Sequence, residues 1–142
     1  MSGLYLETSA VLAWLLGEET GEAVRAALGG ATHVISSDLA LVECERVLLR
    51  AVARGEMTEG EASDRRAHLA AASARWHLLR LAGDVIDRAR QRFPGESVRA
   101  LDALHLSAAL TARSALAGLH FLSLDDRIRT AARQLGFRVQ PD

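Results

Sequence analysis

The chain has 142 residues, of which 49% are hydrophobic and 25% are charged, with a formal net charge of −1. These proportions predict one globular domain over residues 1–142 and exclude an extended disordered chain. All 17 basic side chains are arginine. Without lysine, the sequence lacks the residue that P-loop nucleotide-binding proteins and receiver domains require.

The cysteine content and the hydropathy pattern indicate the cellular setting. Cys44 is the only cysteine, so no disulfide can form within the chain. The amino-terminal residues lack the charged and apolar regions of a signal peptide, and no apolar run approaches the roughly 18 residues of a membrane span. We therefore expect a cytoplasmic protein that does not contact a membrane.

The first third of the chain alternates apolar segments with helix signals. Thr8 and Ser9 are residues that commonly begin helices, and Gly17 is placed to end the apolar run that follows them. Glu18 and Glu19 suit the first turn of a further helix, where acids complement the helix dipole. These signals predict a strand at residues 4–6, helices at 10–16 and 18–28, and a strand at 33–35.

The middle of the chain contains a well-defined helix start. Thr58 and Glu61 have the spacing of a capping box, in which each side chain bonds the backbone N–H of the other residue. Apolar and polar residues then alternate from Trp76 to Leu81, which is typical of a strand. This region is predicted to contain helices at residues 36–54 and 58–74, a strand at 76–81 and a helix at 83–93.

The last third is predicted to contain a helix at residues 98–114, a strand at 119–122, a helix at 125–135 and a strand at 137–139. Strands that alternate with helices form parallel βαβ units. The expected fold class is therefore α/β, a three-layer α/β/α sandwich with a mainly parallel sheet of four to five strands. In such sheets, ligands bind beyond the carboxyl ends of the strands.

Four carboxylates occupy positions where this fold would place a site. Glu7 follows the first strand and Asp125 follows strand 119–122, whereas Glu43 and Asp102 lie in apolar sequence near helix starts. Two carboxylates about 4 Å apart repel by roughly 4 kcal/mol at an effective dielectric constant near 20. Bringing them together therefore indicates a divalent cation, and oxygen ligands favour Mg²⁺ or Mn²⁺. Such an ion can activate water and neutralise charge on a phosphate.

Each acid also has a structural interpretation. Asp125 could be the N-cap of the last helix, and Asp102 could complement the dipole of its own helix. Glu43 could pair with a nearby arginine, and Glu7 could simply end a strand. His105, which lies three residues after Asp102, could orient that acid or could be a buried structural histidine.

At these acids the chain resembles the PIN-domain family and, within it, the VapC-type toxins of bacteria. Four segments carry the resemblance, and each contains one of these four carboxylates: residues 5–11, 36–43, 99–106 and 121–127. The segment around Asp102 is the most specific. The resemblance implies a PIN-like fold and endoribonuclease activity that depends on Mg²⁺ or Mn²⁺. It also implies an RNA substrate, a cognate antitoxin protein as partner, and a homodimer.

The resemblance also implies residue roles. Carried over by position, the catalytic and metal-binding set comprises Glu7, Glu43, Asp102 and Asp125. The polar neighbours that could orient carboxylates, water or phosphate are Thr8, Ser9 and Ser123. Asp126 is a further candidate ligand, and His105 a candidate RNA contact. The apolar end of the first helix, at residues 14–16, could bind an antitoxin helix or a second copy of the chain.

The chain departs from the family at Glu7, where the family usually has aspartate. Glutamate is longer by one C–C bond, about 1.5 Å, and Mg²⁺ demands near-ideal octahedral geometry. The alternative to an active nuclease is therefore a catalytically weak or inactive PIN-like domain that acts as an RNA- or protein-binding module.

Overall fold

The computed structural model describes residues 3–142, which contain a five-stranded sheet of parallel strands. The strands are β1 (Gly3–Leu6), β2 (His33–Ser37), β3 (His77–Leu79), β4 (His120–Leu122) and β5 (Arg138–Gln140). They lie in the order β3-β2-β1-β4-β5, and each neighbouring pair is parallel. The topology therefore reverses between β1 and β4, where an open parallel sheet leaves a crevice at the carboxyl ends of its strands.

Helices follow the strands on both sides of the sheet. They are α1 (Thr8–Leu15), α2 (Gly21–Gly29), α3 (Asp38–Ala53), α4 (Glu59–Ser73), α5 (Gly83–Ala89), α6 (Ala100–Ala115) and α7 (Asp126–Gln134). Within residues 3–142, no helix combines the length and hydropathy needed to cross a bilayer. The predicted α/β/α sandwich is confirmed.

Two apolar cores form because successive strand residues point to opposite faces of the sheet. On one face, Leu4 and Leu6 pack among buried residues of α1 to α4. On the other face, Tyr5 and Phe121 pack among buried residues of α5, α6 and α7, with their rings stacked at a centroid distance of 5.4 Å. The carboxyl edge of the sheet therefore lies between two helical layers, and both layers can supply side chains to it.

The capping box predicted at the start of α4 is confirmed. The Thr58 hydroxyl accepts a hydrogen bond from the Glu61 N–H (3.1 Å), and the Glu61 carboxylate accepts one from the Thr58 N–H (3.0 Å). The helix ends predicted at Gly17 and Gly55 are also observed, with φ angles of 69° and 72°. A positive φ is unfavourable for residues that carry a Cβ, which explains glycine at both positions.

Several predicted boundaries were wrong. The helix expected from Glu18 begins at Gly21, because the Glu18 N–H bonds back to the Ala13 carbonyl and the following residues form a turn. Ser36 and Ser37 belong to β2 rather than to the next helix. They extend the strand because they pair with β3, and Ser36 also donates to the Leu6 carbonyl (2.7 Å).

The helix expected to reach residue 93 ends at Ala89. Phe93 instead turns into the core, where it is 3% exposed, and its N–H donates to the Glu96 carboxylate (2.9 Å). The strand expected at 76–81 is limited to His77–Leu79. At Phe93, packing into the core overrides the local sequence pattern that predicted a longer helix.

Helices α1 and α2 pack closely at Gly21, where a Cβ would lie 2.7 Å from the Ala13 carbonyl oxygen. Overpacking of this kind typically costs 1–3 kcal/mol, so we expect Gly21→Ala to lower the free energy of unfolding by about that amount. Gly29→Ala is the matched control in the same helix, because nothing lies within 4 Å of its Cβ position. It should leave stability unchanged or raise it by up to about 1 kcal/mol. Urea denaturation measures both, and equal losses would contradict this packing.

Candidate active site

The candidate site lies at the carboxyl ends of β1 and β4, next to the point where the topology reverses. The Glu7 N–H donates to the Leu122 carbonyl (3.0 Å), which joins the two strand ends. A pocket of about 420 Å³ opens there. It is lined by the four carboxylates of the predicted catalytic set, by one histidine and by two arginines. These residues are Glu7, Glu43, Asp102, Asp125, His105, Arg99 and Arg127.

Glu7 is buried and caps the N-terminus of α1. One carboxylate oxygen accepts from the Ser9 N–H (3.1 Å), and the other accepts from the hydroxyls of Ser9 (2.5 Å) and Ser123 (2.6 Å). Each hydroxyl in turn accepts from a backbone N–H, that of Leu124 for Ser9 and that of Asp125 for Ser123. The longer side chain at position 7 is thus held by neutral donors from both strand ends.

Glu43 reaches the pocket from α3 with 26% of its side chain exposed. Its Oε1 accepts from the Thr8 hydroxyl (2.6 Å) and from His105 Nε2 (2.7 Å). Burial raises the pKa of this carboxyl, but the hydrogen bonds from His105 and Thr8 and the charge of His105 together outweigh burial. The net result is a lowered pKa, which favours the ionised form.

His105 is buried and connects α6 to the strand layer. Its Nε2 faces the Glu43 carboxylate, which can only accept, so Nε2 carries a proton. Its Nδ1 lies 3.0 Å from the Tyr5 hydroxyl, which is 3.3 Å from the Ser37 hydroxyl. Burial raises the pKa of Tyr5, and the charges of Glu7 and Glu43 raise it further, while the hydrogen bond between Tyr5 and Ser37 lowers it. Tyr5 therefore remains protonated and available as a donor.

Sequence reasoning missed Tyr5 and Ser37. The available signal was a tyrosine in an otherwise apolar buried strand, because its hydroxyl must find a hydrogen-bond partner. The structural interpretation of His105 describes its burial and bonding well. The imidazole also contacts Glu43 directly and lines the pocket, so it belongs to the site as well as to the core.

Asp102 is the acid with the least compensation. Burial raises its pKa, and the charges of Asp125 and Glu7 raise it further, while Arg127 and His105 oppose this rise. A raised pKa means that the charged form is less favourable here than in water. A cation in the pocket would therefore stabilise the charged form of Asp102.

Asp125 is exposed and is the N-cap of α7, where its Oδ1 accepts from the N–H groups of Arg127 (3.0 Å) and Ile128 (3.4 Å). The structural interpretation given to it from the sequence is thus observed, although the residue also lines the pocket. Asp126 begins α7, and it is not among the described residues that line the pocket.

The side chains that line the pocket are suitable ligands for a hard divalent cation, because carboxylate oxygens from four elements face one pocket. Within residues 3–142, however, no three His, Cys, Asp or Glu side chains stand close enough to bind one ion together. The reason is visible in the hydrogen bonds, since Glu7 is held by serines and Glu43 by His105 and Thr8. A cation would compete with these donors for the carboxylates.

Comparison with known proteins agrees with this geometry. The PIN domain family matches residues 4–134, and the chain belongs to that family. It is similar to Ribonuclease VapC46 of Mycobacterium tuberculosis, with 34% identity over 139 residues that cover 98% of this chain and 97% of that protein. The resemblance stated from the sequence is therefore confirmed.

Two solved structures of Mycobacterium tuberculosis proteins share the fold. One is VapC20, described as a sarcin–ricin loop cleaving toxin, with a TM-score of 0.63, 16% identity, and coverage of 90% of this chain and 94% of that chain. The other is VapBC-5, a member of the VapBC family of toxin–antitoxin systems, with a TM-score of 0.60, 21% identity, and coverage of 97% and 95%. These likenesses establish the fold.

The raised pKa of Asp102 predicts a pH-dependent gain of stability in Asp102→Asn. Above its pKa, the native state holds this charge less favourably than the unfolded chain does, and the penalty vanishes when both states are protonated. In metal-free buffer, Asp102→Asn should therefore raise the free energy of unfolding at pH 7 and change it little near pH 3. Urea denaturation at the two pH values measures this difference.

Asp64→Asn, at an exposed position of α4, is the matched control and should have little effect at either pH. A loss of stability in Asp102→Asn at pH 7 would show that this carboxylate is well compensated in the native state.

Proposed function

We propose that this chain is a divalent-metal-dependent endoribonuclease and the toxin of a toxin–antitoxin pair. The observation that carries the proposal is one pocket lined by four carboxylates and two arginines at the reversal of a parallel sheet. Membership of the PIN domain family, and 34% identity to a protein named a ribonuclease, support it. The reaction is hydrolysis of an RNA phosphodiester that leaves a 5′-phosphate.

The residues that would hold Mg²⁺ or Mn²⁺ are Glu7, Glu43, Asp102 and Asp125. When bound, such an ion acidifies water and neutralises charge on the phosphate oxygens. Asp102 is the central member of this set, because burial and the charges of Asp125 and Glu7 disfavour its ionised form.

Arg99 and Arg127 supply positive charge at the rim of the acidic pocket. The guanidinium group stays ionised and can bind two phosphate oxygens at once. Because the chain has a net charge of −1, attraction of RNA must come from such local arginines rather than from the protein as a whole. We assign to these two residues the binding of phosphates on either side of the scissile bond.

The hydrogen-bonded neighbours of the acids are positioning residues. Thr8 and His105 fix the Glu43 carboxylate, while Ser9 and Ser123 fix Glu7. Groups of this kind orient metal-binding carboxylates and tune their affinity. We propose no metal-binding role for Asp126, which lies outside the pocket lining.

We infer that the antitoxin binds in a groove of about 830 Å³ between α1, α2 and α4. Trp14 and Leu28 provide apolar surface, and the groove also contains Arg25 and Arg75. This combination is complementary to an apolar segment that carries acidic residues. Similarity to a protein of the VapBC toxin–antitoxin family supports an antitoxin as the partner.

We also propose a homodimer that acts in the cytoplasm, where its RNA substrate would be found. Among residues 3–142, three large apolar side chains are unusually exposed, namely Val42 (56%), Leu49 (42%) and Leu101 (51%). Val42 and Leu49 are seven residues apart and lie on one face of α3. Leu101 lines the acidic pocket, so a second copy that covers these residues would lie near the site.

The test is to incubate the purified chain, free of antitoxin, with total RNA and either Mg²⁺ or Mn²⁺, and to map the cut ends. We expect cleavage that requires the divalent ion and leaves 5′-phosphates, and we expect Asp102→Asn to abolish it. Asp64→Asn should cleave like the wild type. RNA binding without cleavage by the wild type would instead favour a PIN-like domain that acts only as a binding module.

Glu7→Asp should keep or raise the cleavage rate in the same assay. The shorter side chain would draw the carboxylate back from Ser123, whose hydroxyl now lies 2.6 Å from Glu7 Oε1, and would restore the residue usual in the family. A large loss of activity would show that the longer side chain is the one this site needs.

A further inference from the structure

A second cavity, of about 210 Å³, adjoins the acidic pocket. It lies between the loop of residues 94–98 and helix α7, and Asp102 and Arg127 line both spaces. The other residues around it combine hydroxyl, amide and apolar groups: Ser97, Val98, Thr130, Ala131 and Gln134. A strand of RNA that passes through the acidic pocket would therefore reach this cavity directly.

The polar groups of this cavity suit recognition by hydrogen bonds. The Gln134 side chain is exposed, and its amide offers both N–H donors and an acceptor oxygen. The Thr130 hydroxyl donates to the Asp126 carbonyl (2.9 Å), which leaves its oxygen free to accept. Val98 and Ala131 supply apolar surface beside these groups.

The Gln134 amide lies against Gly95. A Cβ at position 95 would lie 2.9 Å from both Nε2 and Oε1 of Gln134, so a larger residue there would displace the end of this flexible side chain. Gly95 also has a φ of 65°, which disfavours any other residue. The loop itself is anchored by buried Phe93 and by the Glu96 carboxylate. The backbone of the loop that lines the cavity is therefore held in place in the free protein.

We propose that this cavity binds one nucleobase of the RNA, next to the scissile phosphate, and that Gln134 reads the edge of that base. The proposal rests on the nuclease function given above. The cavity is smaller than the roughly 300 Å³ at which pockets for drug-sized molecules begin, which suits a single base. Proteins read single-stranded RNA in this way, by holding splayed bases in pockets and bonding their edges.

A second phosphate is a poorer occupant of the same space. The only charged groups among the described residues that line it are Arg127 and Asp102, whose opposite charges leave little net attraction for an anion. Arg127 lines both spaces. It is therefore better placed to bind a backbone phosphate of the nucleotide whose base occupies the cavity. The cavity then contributes base specificity, and Arg127 contributes affinity that is independent of sequence.

Cleavage of an RNA library of random sequence, with both ends of each cut sequenced, tests this assignment. The wild type should prefer one base at a fixed position beside the cut, and Gln134→Ala should reduce that preference about tenfold or more. Gln134→Glu, which replaces an amide donor with an acceptor, should change which base is preferred. Gln91→Ala, an exposed glutamine outside the cavity, is the matched control and should keep the preference.

Arg127→Ala should slow cleavage of all sequences and leave the base preference intact. Binding of the same library to Asp102→Asn protein provides a readout without cleavage, and the same base should be enriched there and lost when Gln134→Ala is added. Enrichment without cleavage by the wild type would support the base-binding cavity and count against the nuclease. A preference that Gln134→Ala and Gln134→Glu both leave unchanged would overturn the proposal.

Discussion

Repulsion among carboxylates is the constraint on which the carboxyl edge of this sheet depends. The strand order places the ends of β1 and β4 side by side, and four helices or their caps bring acids to the same pocket. Charges of like sign repel each other more strongly when they are partly withdrawn from water. The surrounding side chains accordingly donate hydrogen bonds to these carboxylates. The pocket is therefore polar even though two apolar cores flank it.

The four carboxylates are not stabilised equally by their neighbours, and this difference bears on where a cation would bind. Glu7 receives hydrogen bonds from two serines, and Glu43 receives them from Thr8 and His105. His105 also connects to Tyr5, so one buried network joins both helical layers through the sheet. Within the described residues, no buried side-chain polar atom lacks a partner. Asp102 differs, because burial and the charges of Asp125 and Glu7 raise its pKa, and a cation would stabilise its ionised form.

Local patterns predicted the fold well, because capping residues such as Thr58 and helix-ending glycines such as Gly17 act over a few positions. The same patterns misplaced the ends of elements where contacts between distant residues determine the structure. Phe93, for example, was predicted to lie in a helix but packs into the core beyond the end of that helix. The positions of the acids predicted a shared pocket, whereas Thr8, Ser9 and Ser123 were predicted as their polar neighbours only through the family resemblance. Ser9 and Ser123 are 114 positions apart, and nothing in the sequence around either residue indicates that both would bond Glu7.

The most direct test of this account is a crystal structure of the chain with Mn²⁺, recorded with anomalous scattering at the manganese edge. We predict an anomalous peak inside the pocket in contact with Asp102 and at least one of Glu7, Glu43 and Asp125, and loss of that peak in Asp102→Asn. Ions bound only elsewhere, in crystals of protein that cleaves RNA, would contradict the claim that these converging carboxylates form the metal site.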